Sequence, residues 1–350
     1  MPSARGREAE RPSDIPTRGW IDILKRVYTE IGDDRVLLTA GGVTYYLLLA
    51  FFPGLTALVS VYGLFADPGE VQAHLQQLAG ILPGGALDII EEQLDRIAGQ
   101  GQTTVGLAFV ASLLIALWSA NAGMKALFEA MNIAYDEREE RGFIWLTVTS
   151  FAFTLCAIAG VLLLIGVTVV MPVVLNAVGL GQGVEWLIRI LSYVLILVLA
   201  SLAAAALYRW GPDRAKAKWR WITPGMLVAV LVVAVVSVLF TWYVANFGSY
   251  NETYGSLGAL IGFLTWIWIS VSILIIGAEL NAEMEHQTAA DTTTPPERPL
   301  GQRGANMADH VAGQEATEAA GRQDRPRNRE AQDVRDPTSG RNDDSRPRSP

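Results

Sequence analysis

The chain of 350 residues has one cysteine, three histidines and four lysines. Cys156 alone closes no intramolecular disulfide and builds no Cys-based metal site. His74, His286 and His310 lack the close His, Asp and Cys spacing of metal hydrolases, so no metal and no other cofactor is expected. No Gly-rich phosphate loop with Lys is present, which argues against a nucleotide-driven pump and, with the rest, against an enzyme. Charge is also scarce: 18% of residues are Asp, Glu, Lys or Arg, where soluble chains approach a quarter. The shortage is uneven. The last 64 residues contain no aromatic residue and one Leu, with ten Arg against eleven Asp plus Glu. The 51% hydrophobic content and mean hydropathy of +0.29 therefore belong to about the first 286 positions.

What is there is six runs without charge, at 36–66, 97–124, 142–184, 190–208, 221–251 and 253–278. A ~30 Å hydrocarbon layer takes roughly 20 helical residues to cross, so each run holds one span. The expected membrane portions are 37–65, 104–121, 143–171, 186–208, 222–247 and 256–279. The longest run continues beyond Pro172, but 176–183 is Gly-rich and too short to cross. The fold class is all-α: a polytopic membrane protein with six transmembrane helices. The first apolar run is about twice the length of a secretory signal core, which predicts an inserted chain.

Lys and Arg cluster on the cytoplasmic side of short membrane loops. Seven precede the first span, three lie in the second loop and five in the fourth (Arg209, Arg214, Lys216, Lys218, Arg220), while the alternate loops hold almost none. Both termini are expected in the cytoplasm. Eight of ten Trp agree, including Trp118, Trp145, Trp210, Trp219 and Trp221 at expected interfaces; Trp266 and Trp268 lie deep in a span. Three regions follow: 1–35, a cytoplasmic N-terminal segment; 36–285, the membrane domain; and 286–350, a polar cytoplasmic tail expected to be disordered for want of apolar area. In the first region Trp20, Ile23, Leu24, Val27, Tyr28 and Ile31 recur at helical spacing. They mark an amphipathic helix, lying in the inner interface or packed on the inner ends of the bundle. Between spans one and two, apolar stripes either side of Pro83-Gly84-Gly85 predict an outer helical hairpin.

Ionisable residues within spans are costly and mark sites by default. Glu185 and Arg189 stand four apart at the outer end of the fourth span, suited to an ion pair or to a headgroup contact. Glu279 sits at the inner end of the last span with Asn281 just beyond it, either contacting basic loops or serving function. Asn251 and Tyr254 form a turn or a polar outer mouth between spans five and six. Pro53 and Gly54 are a candidate helix break in the first span, since Pro removes a backbone hydrogen bond. Broken helices often line transport cavities.

Three segments together resemble the YihY/BrkB family of bacterial inner-membrane proteins, once labelled ribonuclease BN. The first runs Thr39-Ala40-Gly41-Gly42-Val43-Thr44-Tyr45-Tyr46 to Phe52-Pro53. The second includes Leu117-Trp118-Ser119, Met131-Asn132-Ile133-Ala134-Tyr135-Asp136 and Arg141-Gly142-Phe143. The third joins Leu207-Tyr208-Arg209-Trp210-Gly211-Pro212, Thr223-Pro224-Gly225, Tyr250-Asn251-Glu252-Thr253-Tyr254-Gly255 and Gly277-Ala278-Glu279-Leu280-Asn281. The match covers roughly 20–285. The resemblance implies six helical spans with cytoplasmic ends, and particular relatives are associated with serum resistance and lipopolysaccharide export. The old ribonuclease label finds no acid-base or metal constellation in these residues. The expected function is a transporter or lipid-flipping protein of the envelope without ATP hydrolysis; the alternative is a non-transporting scaffold. Expected partners are membrane lipids, with envelope proteins or a second copy as further candidates, and no nucleic acid.

Overall fold

The structure, a computed structural model, describes residues 5–65, 102–165, 182–247 and 256–313. The outer hairpin, Asn251, Tyr254 and residues 314–350 lie outside the described residues. Among the described residues the chain is all-helical, apart from a single isolated bridge between Ala217 and Thr293.

The elements are α1 (Thr17–Asp33), α2 (Val36–Phe65), α3 (Gln102–Ala134), α4 (Phe143–Ile165), α5 (Gln182–Trp210), α6 (Trp219–Phe247), α7 (Ser256–His286) and the single turn α8 (Asn306–Asp309). Helices α2 to α7 are each long and apolar enough to cross a membrane, which makes six spans. Their hydroxyls are satisfied within the helices, as a medium without water demands: Thr44, Thr154, Ser192, Ser237 and Ser270 each donate to the carbonyl four residues earlier. The two deep tryptophans stitch helices together. Trp268 donates to the Leu37 carbonyl at 2.9 Å and Trp266 to the Ser237 hydroxyl at 2.9 Å.

Four expectations are corrected. Spans two and six continue as helix past the expected inner boundaries, to Ala134 and His286, because Phe128, Met131 and Ala134 on one and Ala282 and Met284 on the other have protein to bury against. Helix α2 runs through Pro53 and Gly54 without a break; one missing backbone bond does not outweigh the flanking helix, and Gly54 lies against Ala116 of α3. Trp221 is not at an interface but fully buried, packed with Ile23, Val27, Leu280 and Met284. The polar tail is folded as far as Gly313, where hydrogen bonds supply what apolar area does not.

Helix α1 settles on the bundle by the second of its two expected modes. Ile23 and Val27 are buried against the end of α7, while Ile21, Leu24 and Tyr28 stay exposed on the adjoining face. α1, the start of α2, the ends of α3, α5 and α7 and the starts of α4 and α6 all lie at one end of the bundle. This is the end rich in Lys and Arg, and it is called the basic end below. Residues 287–313 form a strap beneath it. Arg303, 4% exposed, is the hub of the strap, donating to the carbonyls of Ala289, Ala290, Arg298 and Ala308. The strap reaches the N-terminal segment through Ala289 N–H to the Arg7 carbonyl, and the loop between α5 and α6 through Lys218 N–H to the Thr292 carbonyl, both at 2.8 Å.

Packing is lopsided along the bundle. Among the described residues the large fully buried side chains, Trp221, Tyr135, Tyr208, Phe128 and Met131 among them, belong to the basic end. Toward the other end α5 has only a narrow half-buried stripe of Ile188, Ser192, Ile196 and Leu199, and Leu187, Ile190, Leu191, Tyr193 and Val194 are exposed around it.

Candidate functional site

The last two turns of α7 are buried on every side although they carry Glu279, Asn281, Glu283 and Glu285. At 100° per residue, Glu279 and Glu283 share one face and Asn281 and Glu285 another, roughly opposite. The first face meets α1, the second α6 and the loop from α5.

Three of these four polar groups have a partner in place. Arg26 of α1 pairs with the Glu283 carboxylate and donates at 2.8 Å to the Gln287 side chain. Arg214 pairs with Glu285 at 2.7 Å, both side chains almost wholly buried, and Thr292 donates to the same carboxylate oxygen at 2.6 Å. The Tyr135 ring covers the Arg214 guanidinium at 4.7 Å. Burial opposes the charge of Arg214, but the Glu285 carboxylate beside it holds the guanidinium above its ordinary value. Asn281 accepts the Gly225 backbone N–H at 2.8 Å.

That last bond exists because α6 and α7 touch backbone to backbone. A Cβ at Gly225 would stand 2.1 Å from the Gly277 carbonyl, and one at Gly277 would stand 2.4 Å from the Tyr208 hydroxyl. Tyr208 in turn donates to the Leu274 carbonyl at 2.7 Å. The neighbouring loops are locked as firmly: Asn132 accepts the Asp213 N–H at 2.7 Å and donates to Glu139 at 3.0 Å, and Arg141 donates to the Gly211 carbonyl at 2.8 Å. Burial first, and the hydrogen bond from Arg141 and Asn132 against it, leave the Glu139 carboxyl below its usual range.

Glu279 differs from its three neighbours. It is fully buried, and neither carboxylate oxygen receives a hydrogen bond. The side chain within hydrogen-bonding reach is another carboxyl, that of Asp34 in the turn between α1 and α2, with Glu30 near it. Tyr135, whose hydroxyl is buried and unpartnered, faces Asn281, whose amide nitrogen is also buried and unpartnered. Burial pushes the Tyr135 phenol far above its ordinary value. One face of this helix end thus carries a carboxyl pair and the roughly opposite face a phenol and an amide with open hydrogen-bonding capacity, with an ion pair beside each.

Of the sequence-expected site residues, the structure brings together Glu279 and Asn281. Glu185 and Arg189 lie on α5 near its other end, about 30 Å away by helix rise, with side chains outside the described residues. Pro53 and Gly54 sit within α2, apart from the cluster. Asp34, Arg26 and Arg214 were not singled out in the sequence as site residues. Asp34 has one signal, an acid two positions before the first apolar run; Arg214 counts in the sequence only toward orientation, and Arg26 toward orientation and the polar face of α1.

Six apolar helices, a polar cluster at one end and hydroxyls turned back on their own backbones define a polytopic α-helical membrane protein. Residues 27–301 match the family model described as virulence factor BrkB, and the chain belongs to this family. It is similar to the ribonuclease-like protein YfkH of Bacillus subtilis, 29% identical over 69% of this chain and 86% of that one. It is also similar to two UPF0761 membrane proteins. That of Methylibium petroleiphilum is 24% identical over 79% of this chain and 66% of its own length; PBPRA3489 of Photobacterium profundum is 25% identical over 73% and 78%. No solved structure matches the chain.

Proposed function

We propose that the protein is a transporter or lipid-flipping protein of the bacterial envelope that works without ATP hydrolysis, seated in the inner membrane with the basic end and both termini in the cytoplasm. The observation that carries this reading is the lopsided packing. The basic end is sealed by large side chains and the strap, while α5 is exposed around most of its circumference toward the other end. Among the described residues, large side chains packed at one end and lipid-facing side chains around α5 toward the other suit one half of an alternating-access cycle. Glu279 adds support, since buried ionisable groups in membrane bundles mark pathways. The orientation rests on the Lys and Arg of the basic end. In this scheme Arg189 and Glu185 meet a lipid headgroup on entry, Asn251 and Tyr254 form the outer polar mouth, and Glu279 and Asn281 act at the inner end.

The test is movement of headgroup-labelled phospholipid in liposomes holding the purified protein, against empty liposomes and an unrelated six-span protein. Movement above both supports the reading, and Arg189→Ala or Glu279→Ala then lowers flux at equal membrane abundance. Movement no faster than the controls counts against lipid handling. A second reading, a non-transporting scaffold, is favoured by the folded layer of strap and N-terminal segment beneath the bundle. It expects a stable partner recovered by crosslinking and lost when residues 69–98 are replaced by a flexible linker. The ribonuclease-like name of YfkH is not carried over; RNA cleavage by purified protein that survives contaminant controls would reopen it.

A further inference from the structure

Among the described residues the Glu279 carboxylate forms no ion pair and accepts no hydrogen bond. Arg26 is taken by Glu283 and Arg214 by Glu285. Glu30 of α1 and Asp34 of the following turn face Glu279, with Glu283 one helical turn on along α7; Arg35, beside Asp34 in that turn, is exposed, and α2 contributes no charged residue. Asp33 and Asp136 stand behind Asp34. Ionised carboxylates are acceptors only, so two of them within reach of each other hold together when a proton lies between them. Two close carboxylates do not both ionise, and an unpaired charge in a low-dielectric interior is worse still.

We propose that Glu279 and Asp34 together bind one proton, and that this proton is the coupling ion of the transport cycle. Glu279 supplies the buried end and half-buried Asp34 the end that reaches water, so the pair has an entrance from the basic side. In loading, an O–H bond of a cytoplasmic hydronium breaks, one forms on an Asp34 oxygen, and the proton is then shared with Glu279; unloading reverses these steps. Burial raises the Asp34 carboxyl above its ordinary range, and Asp136, Asp33 and Glu283 raise it further against the lowering effect of the neighbouring Glu279 carboxyl. Glu30 is raised by burial first and by Asp34 next. A metal ion fits less well, because among the described residues no three His, Cys, Asp or Glu side chains stand close enough together to hold one.

The coupling part of the proposal rests on the transport reading; the proton site does not. It is tested on the full-length protein in lipid nanodiscs by infrared difference spectroscopy across a pH titration, in H2O and D2O. The expected result at neutral pH is a protonated-carboxyl stretch worth one group per chain, shifted by deuterium, lost in Glu279→Gln and shifted or lost in Asp34→Asn. Gln imitates the protonated carboxyl, so Glu279→Gln is also expected to fold and melt no lower than the parent at neutral pH. An unchanged band in Glu279→Gln, failure of that variant to fold, or a band abolished by added sodium in place of base would overturn the proposal. If the band behaves as expected and no lipid moves in liposomes, the proton site stands and the transport reading falls. If lipid moves with no such band, the reverse holds.

Discussion

Single charged side chains at the basic end hold position by pairing where water cannot reach. Arg214 and Glu285 are such a pair, and breaking one costs more than the pair contributes, because the survivor is left as a bare buried charge. Arg214→Leu is expected to destabilise the protein by ~3–5 kcal/mol. The double replacement Arg214→Leu/Glu285→Leu should cost less than the single one, and thermal unfolding in detergent decides between them. Glu137 gives a pH handle outside the spans. Burial pushes its carboxyl from 4.5 up to about 7, against the Asn306 N–H that it accepts at 2.7 Å. An acid whose folded value lies above its unfolded one binds more protons when folded, so its contribution favours the fold at low pH. That contribution fades as pH rises from about 4.5 to about 7. The melting temperature should fall over this window, and Glu137→Gln should flatten the fall; a wild-type slope in the variant would refute the assignment.

At the scale of elements, the crossing of α6 and α7 depends on two glycines with no room for a methyl group. Gly225→Ala would press on the Gly277 carbonyl and Gly277→Ala on the Tyr208 hydroxyl, so backbone has to move. Either change is expected to lower the melting temperature sharply, with loss of the Asn281 bond to residue 225. Gly41→Ala in α2 meets nothing within 4 Å and is expected to leave stability unchanged or raise it by about 0.5–1 kcal/mol through helix propensity. These helices were legible in the sequence because apolar runs and Lys/Arg counts are properties of one segment at a time. Pro53 was over-read as a break for the same reason: the residue announces a lost bond, but not the helix on either side that tolerates it. Glu279 and Asn281 could be named from their place in an apolar run. Their pairing with Asp34 and Tyr135 could not, since it joins residues that meet only when α1, α3 and α7 have packed.

For the molecule as a whole, the strap at 287–313 was the least legible part. It has almost no apolar periodicity, and its order comes from Arg303 donating to backbone carbonyls and from Thr288 and Thr292 reaching buried acceptors, which leave no pattern in composition. Arg303→Ala is therefore expected to open the strap to proteases while the six spans remain inserted. Limited proteolysis with mass analysis checks it, and an unchanged cleavage pattern would show the hub to be dispensable. The strap is also where the two ends of the described chain are tied together. The Arg7 guanidinium donates to the Ala312 carbonyl across 305 positions, the Gln287 amide to the Arg5 carbonyl across 282, and the Thr288 hydroxyl to the Ala9 carbonyl across 279. Residues 5–15 leave the ribosome before any of the six spans, and their partners in the strap are made after all of them. At roughly 5–20 residues per second they wait for about 15–60 s before the layer beneath the bundle can close. Completion of that layer thus reports that every span has been synthesised, and a nascent chain halted before residue 286 keeps its N-terminal segment open to capture or cleavage.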